Sequence, residues 1–183
     1  CTELTEFQLP EVPEGWMGSS ELNNIQAAAD GTLWAIYNSY TYRYNPPADL
    51  AEDDSMYNYY EEGENKTGLL HLDADGKEIK RIEFSQTDEN GNSFYVSSFF
   101  VDNSGNVYLS DWQSVYIYDQ DGNKKTTVDL GENGGDLCEL KAGVVGVSYY
   151  KNDEAKPEES GRVFQEIDPA TGKLTGDTVK LPD

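Results

Sequence analysis

The chain is poor in positive charge. Against 35 Asp and Glu it sets only 13 Lys and Arg, a net charge of −22 over 183 residues. Such a surface repels phosphate backbones, which excludes nucleic acid as a partner, and it disfavours docking on anionic lipid. No run of about 18 apolar residues is present to cross a membrane as a helix. Cysteine is scarce too: Cys1 and Cys138 give no disulfide framework, no CxxC pair and no His/Cys spacing suited to a metal, so neither metal nor cofactor is expected. Cys138, in the apolar stretch GGDLCEL, reads as a buried, inert thiol. The single histidine, His71, lies mid-strand in LLHLD. A lone histidine there is expected to be packed, and no Ser-His-Asp triad can be built without it, so no catalytic residue is assigned. Helical periodicity is nearly absent: one short helix is expected around Pro47–Met56, with Asp49 as its N-cap.

What is present points to ordered β structure. Aromatic residues make up 12% of the chain, with 13 Tyr, and apolar residues 37%. This argues against disorder despite the charge, and the length gives room for one core. One turn signal recurs as Asp73-Ala74-Asp75-Gly76, Asp119-Gln120-Asp121-Gly122 and Asp168-Pro169-Ala170-Thr171-Gly172, its glycines 46 and then 50 residues apart. A second recurs at Gly31, Gly105 and Gly143. Strand-like segments flank every one: NIQAAAD and TLWAIYN, YVSSFFVD and NVYLSDW, DLCELK and VVGVSYY around the second signal; GLLHLD, SVYIYD and RVFQEID before the first. In DADGK, DNSGN and DQDGN the glycine stands fourth, where a calcium-binding EF-hand loop needs it sixth, so these are tight hairpin corners in which glycine accepts a positive φ.

Each repeat therefore holds four strands, A to D. A four-stranded unit at a period of about 40–50 residues is the pattern of a propeller blade. The segments DGTLWAIY, DNSGNVYLSDW and VYIYDQDGN resemble the NHL, WD40 and regulator-propeller repeat families, from about Leu22 to Leu181. The resemblance implies an all-β fold of three four-stranded antiparallel propeller-type blades at 22–85, 94–130 and 136–181, forming a domain over 22–183 behind a lead at 1–21. It implies little about activity, because such blades host unrelated functions. A propeller closes with roughly four to eight blades. Three imply a piece of a longer chain, closing blades from a homodimer partner through open edges, or an open stack with capped ends. The order of Cys1, PEVPEGW and NIQAAADGTLW also resembles the front of Gram-positive lipoproteins in which propeller-like repeats precede the solute-binding domain of an ABC importer. That likeness implies a lipid on Cys1, an extracytoplasmic location, and a small carbohydrate or peptide ligand, or further domains of the same chain, as partner. The alternative is a fragment of a propeller-fold carbohydrate-active hydrolase or lyase. A sialidase site is not expected: the only arginines are Arg43, Arg81 and Arg162, and Arg81 falls on an outermost strand D.

The repeats differ in their B–C connections, which carry insertions at 38–67 and 151–161. Both fall on one face, the expected binding face. The first insertion holds Tyr40, Tyr42, Tyr44, Tyr57, Tyr59 and Tyr60. The alternation of the first three predicts that strand B continues into a hairpin extension with its tyrosines on one side. These rings form the expected ligand platform, converging with Trp112, Tyr149 and Tyr150 at the ends of the other B strands. Glu61 and Glu62 would accept hydrogen bonds from hydroxyls of the ligand.

Overall fold

The computed structural model describes residues 8–48, 59–84, 96–131 and 134–182. Thirteen strands occur there: β1 (Met17–Ala27), β2 (Leu33–Tyr44), β3 (Tyr60–Glu62), β4 (Lys66–Leu72), β5 (Glu78–Phe84), β6 (Ser98–Val101), β7 (Val107–Ser110), β8 (Ser114–Tyr118), β9 (Lys124–Asp129), β10 (Leu137–Lys141), β11 (Val144–Lys151), β12 (Gly161–Asp168) and β13 (Lys173–Lys180). They form three antiparallel sheets ordered β1-β2-β4-β5, β6-β7-β8-β9 and β10-β11-β12-β13, with β3 added to β2. Among the described residues there is no α-helix; a turn of 3-10 helix covers Pro157–Glu159.

Each sheet is a meander whose two outer hairpins turn at the glycines that the repeats single out. Gly31, Gly76, Gly105, Gly122, Gly143 and Gly172 all have φ between 66° and 85°, a region costly for a residue with a Cβ. The aspartates beside them cap the turns. Asp73 Oδ1 accepts the amides of Asp75 and Lys77, Asp102 Oδ1 those of Ser104 and Asn106, and Asp119 Oδ1 those of Asp121 and Asn123. These carboxylate oxygens serve the backbone, as tight corners require.

Alternation along the strands decides how the sheets stack. Trp34, Ile36 and Leu69 of the first sheet face Phe99, Val107 and Leu109 of the second. The opposite face of the second sheet, with Tyr108, Val115 and Ile117, packs on Val145, Val147 and Ile167 of the third. The second sheet is thus buried on both sides, each large apolar side chain there contributing roughly 1.5–3 kcal/mol. The outer face of the first sheet buries Tyr37, Leu70 and Leu72 under Leu9 of the lead. The first strands of the sheets lie side by side, β6 next to both β1 and β10. Gln26 joins two of them: its amide donates to the Val101 carbonyl and accepts the Val101 amide, each at 2.8 Å.

Three details differ from the sequence reading or lie outside it. β1 begins at Met17, ahead of Leu22, because it follows the lengthened β2. Cys138 is exposed, not buried. Its neighbour Leu137 takes the core side of β10 and alternation turns the thiol outward; partial burial and the nearby Asp136 still push its pKa up, which keeps it protonated. Cys1, Tyr57 and nearly all of the expected helix around Pro47–Met56, including Asp49, lie outside the described residues.

Candidate functional site

The first insertion is built as its alternation predicts. β2 leaves β4 after the Ser39–Lys66 pair and continues, held by β1 on one side and by β3 on the other through Tyr42–Glu62, Arg43–Glu61 and Tyr44–Tyr60. Tyr40, Tyr42 and Tyr44 occupy the face that, nearer the start of β2, carries Trp34 and Ile36 onto the second sheet. β7 is only four residues long, so the tyrosines continue that face beyond it. Tyr40 is 49% exposed, Tyr44 37% and Tyr60 39%.

The rings form one connected group. Tyr40 and Tyr42 lie nearly parallel with centroids 6.3 Å apart, Tyr42 and Tyr60 are 5.8 Å apart, and Tyr44 and Tyr60 5.3 Å. The back of the extension is a separate polar layer that holds it straight. Thr41 is buried and donates its hydroxyl to the Glu64 carbonyl. Arg43 lies 4.8 Å from the Trp16 ring centre and its Nε donates to Glu61 Oε2 at 2.6 Å, while Asn45 donates to Glu61 Oε1. These bonds hold the Glu61 carboxyl below the usual range. Glu61 is therefore tied on the back, paired with Arg43; Glu62, paired with Tyr42, is the carboxylate that shares the tyrosine face. Met17, also opposite Tyr42 and 45% exposed, adds a flexible apolar contact. Tyr59 is partly buried, and its carbonyl accepts the Asn45 amide.

The other expected residues do not join this group. Trp112 is 59% exposed on the tight β7–β8 turn, at φ 80°, a backbone conformation that costs on the order of 1–3 kcal/mol for a side-chain-bearing residue. The turn is set by Asp111 Oδ1, which accepts the amides of Gln113 and Ser114. Tyr149 points into the core between the second and third sheets and donates to Gln165 at 2.7 Å; burial pushes its phenol up. Tyr150, next along β11, takes the opposite face and is 50% exposed. Among the described residues no ring contact links Trp112, Tyr149 or Tyr150 to the tyrosines of the extension.

At the other end of β2, His71 is packed, as a lone strand histidine should be. It pairs with Trp34 across β2 and β4, and the two rings stack at 3.8 Å and 8°. Sequence reading missed that this stack lines an open cleft of about 770 Å³ between the first two sheets. The only hint in the sequence is that Trp34 and His71 each stand just inside a hairpin turn. Among the described residues no group of three or more His, Cys, Asp or Glu is arranged to hold a metal ion.

The fold thus defines an all-β protein of stacked four-stranded meanders with an aromatic extension on one sheet. No family model matches the chain, and no curated protein matches it. Among solved structures it is similar to the crystal structure of a protein of unknown function from Bacteroides caccae, with a TM-score of 0.54 at 12% identity over 92% of this chain. At that identity the likeness shows the fold alone. The chain spans about half of that protein, covering 48% of it.

Proposed function

We propose that the chain is a non-catalytic binding module, a propeller-type segment of an extracytoplasmic protein, whose ligand is a small carbohydrate or a peptide. The propeller reading is supported by three meanders that stack face to face with their first strands side by side. The lipoprotein setting rests on the resemblance of the N-terminal segment, with Cys1 as the lipid-bearing residue.

One observation carries the binding reading: four tyrosine rings in mutual contact, three of them well exposed, on an extension whose back is fully braced. A folding role alone does not need so many exposed rings, and a flat aromatic surface edged by hydroxyls suits the apolar face of a sugar ring or an extended peptide. Glu62 and the acidic surroundings repel anionic ligands. The test is a glycan and peptide screen on the wild type against a Tyr40→Ala/Tyr44→Ala/Tyr60→Ala variant of matched melting temperature. Each aromatic contact is worth about 0.5–1.5 kcal/mol, so binding should fall by more than about tenfold. Identical profiles for the two proteins would overturn the platform.

A further inference from the structure

The tyrosines of the extension differ from those between the sheets in what their polar atoms do. Tyr37 donates its hydroxyl to Glu83, Tyr108 to Asp102, Tyr116 to Asp111 and Tyr149 to Gln165. Among the described residues, no hydrogen bond ties the hydroxyls of Tyr40, Tyr42, Tyr44 or Tyr60 to the protein. None, and no ion pair, reaches the exposed carboxylate of Glu62. Glu62 pairs with Tyr42 across β3 and β2, so its side chain and that ring rise from one face, their Cβ atoms about 4.5–5.5 Å apart. The cations of the extension are turned away: Arg43 pairs with Glu61, and Lys66 with Ser39, all on the back.

That back shows what a ring and a carboxylate do together in this chain. Arg43 lies over the Trp16 ring, 4.8 Å from its centre, and its Nε donates to Glu61 at 2.6 Å. The first sheet repeats the arrangement at Arg81, 5.1 Å from the Tyr37 ring centre, which donates to both oxygens of Glu78 at 3.1 and 2.7 Å. In each, a ring lies under the guanidinium and a carboxylate takes its N–H donors. The front of the extension sets out the same two parts, tyrosine rings and Glu62, one residue along β3 from Glu61. Among the described residues no lysine or arginine shares that face. The remaining arginine, Arg162, belongs to the third sheet and donates to Ser148.

We propose that the tyrosine face takes the arginine side chains of an extended peptide. This rests on the binding reading of that face and narrows its ligand to one class. Each guanidinium lies on a tyrosine ring, and one of them donates its paired N–H groups to Glu62. Arginine fits better than lysine, because its planar fork meets ring and carboxylate at once. Alternate residues of an extended strand stand about 6.6–6.8 Å apart, close to the 6.3 Å between the Tyr40 and Tyr42 ring centres. Arginines two residues apart therefore reach neighbouring rings. A neutral sugar can use the hydroxyls, but it brings the unpaired carboxylate no opposite charge.

Carbon-13 aromatic spectra of the platform tyrosines at low salt test this. The probes are acetyl-Gly-Arg-Gly-Arg-Gly-amide, the same peptide with citrulline for arginine, and the same peptide with lysine. Citrulline keeps the shape and loses the charge; lysine keeps the charge and loses the plane. The arginine peptide should shift the ring signals saturably. It should bind about fivefold more tightly than the citrulline peptide and about twofold more tightly than the lysine peptide. Glu62→Gln should cut the advantage over citrulline by about twofold or more. That change removes one charge from a net of −22, too little to alter the general attraction of cations to the chain. Maltohexaose and cellohexaose serve as glycan probes. Rings that respond to a glycan but not to the arginine peptide overturn this proposal and leave the platform standing, whereas rings that respond to no probe overturn both. Equal affinity for the arginine peptide and either of the others, or an advantage that survives Glu62→Gln unchanged, overturns the arginine assignment.

Discussion

Tyr37 and Gly68 face one another across β2 and β4, and the pair shows how much one residue can fix. Tyr37 is fully buried, its ring lying over the place where a Gly68 Cβ would stand. Its hydroxyl donates to Glu83 at 3.2 Å, and the Arg81 guanidinium, itself held by Glu78, sits 5.1 Å from the ring centre. Burial, with the Glu83 charge behind it, pushes the phenol up to about 12. The glycine is needed here for space and not for a turn. Gly68→Ala should therefore destabilise the chain by about 1–3 kcal/mol through overpacking. A urea titration checks it, and a wild-type midpoint would mean that the ring can move aside without loss.

At the scale of the elements, the strands and hairpins were legible because their signals are local. A glycine with a positive φ marks each corner, beside a capping aspartate at all but the Gly143 corner, and period-two alternation marks the extension at Tyr40, Tyr42 and Tyr44. What was not legible depends on contact between sheets. Trp34 and His71 meet through the β2–β4 register, and Glu139 reaches their cleft only because β10 lies beside β6; no spacing in the sequence encodes either. The same holds for Tyr149, which alternation alone leaves free to face the rim but which the third sheet turns into the core. Glu61 was expected to serve a ligand, and pairing with Arg43 across β3 commits it to the back of the extension. That brace makes a prediction. Arg43→Ala removes both the ion pair with Glu61 and the contact with Trp16. The amides of Tyr42–Tyr44 and Tyr60–Glu62 should then exchange with solvent several-fold faster, while the global melting temperature stays nearly unchanged, because exposed pairs add little to overall stability. Unchanged exchange in the extension would show that strand pairing alone holds the platform.

For the molecule as a whole, the charge imbalance opposes the local interactions, and pH and salt separate the two. With 35 acidic against 13 basic side chains, the compact state at neutral pH carries more self-repulsion than the unfolded chain. Salt shortens the Debye length to about 10 Å at 0.1 M, so the melting temperature at pH 7 should rise with sodium chloride, and the gain should shrink as pH 4 is approached and the carboxylates take up protons. Locally the sign is the opposite. Hydrogen bonds from Thr32, Asn45, Arg81, Asn123 and Thr171 hold the carboxyls of Asp30, Glu61, Glu78, Asp119 and Asp168 below their ordinary values. A depressed carboxyl stabilises the fold above its unfolded pKa, near 4, and that contribution disappears as pH falls through the lower folded value. His71 acts in the same direction from a higher starting point: its folded pKa is lowered by burial, so the unfolded chain binds the proton more readily once pH falls below about 6.5. The expected profile is therefore nearly flat from pH 7 to 5, where relief of repulsion offsets the cost at His71, and falls steeply below pH 4. Calorimetry across pH and salt reads both limbs. A melting temperature that drops with salt at pH 7 would show that net repulsion does not dominate the charged surface, and one that keeps rising below pH 4 would show that the turn carboxylates are not the groups that hold the corners.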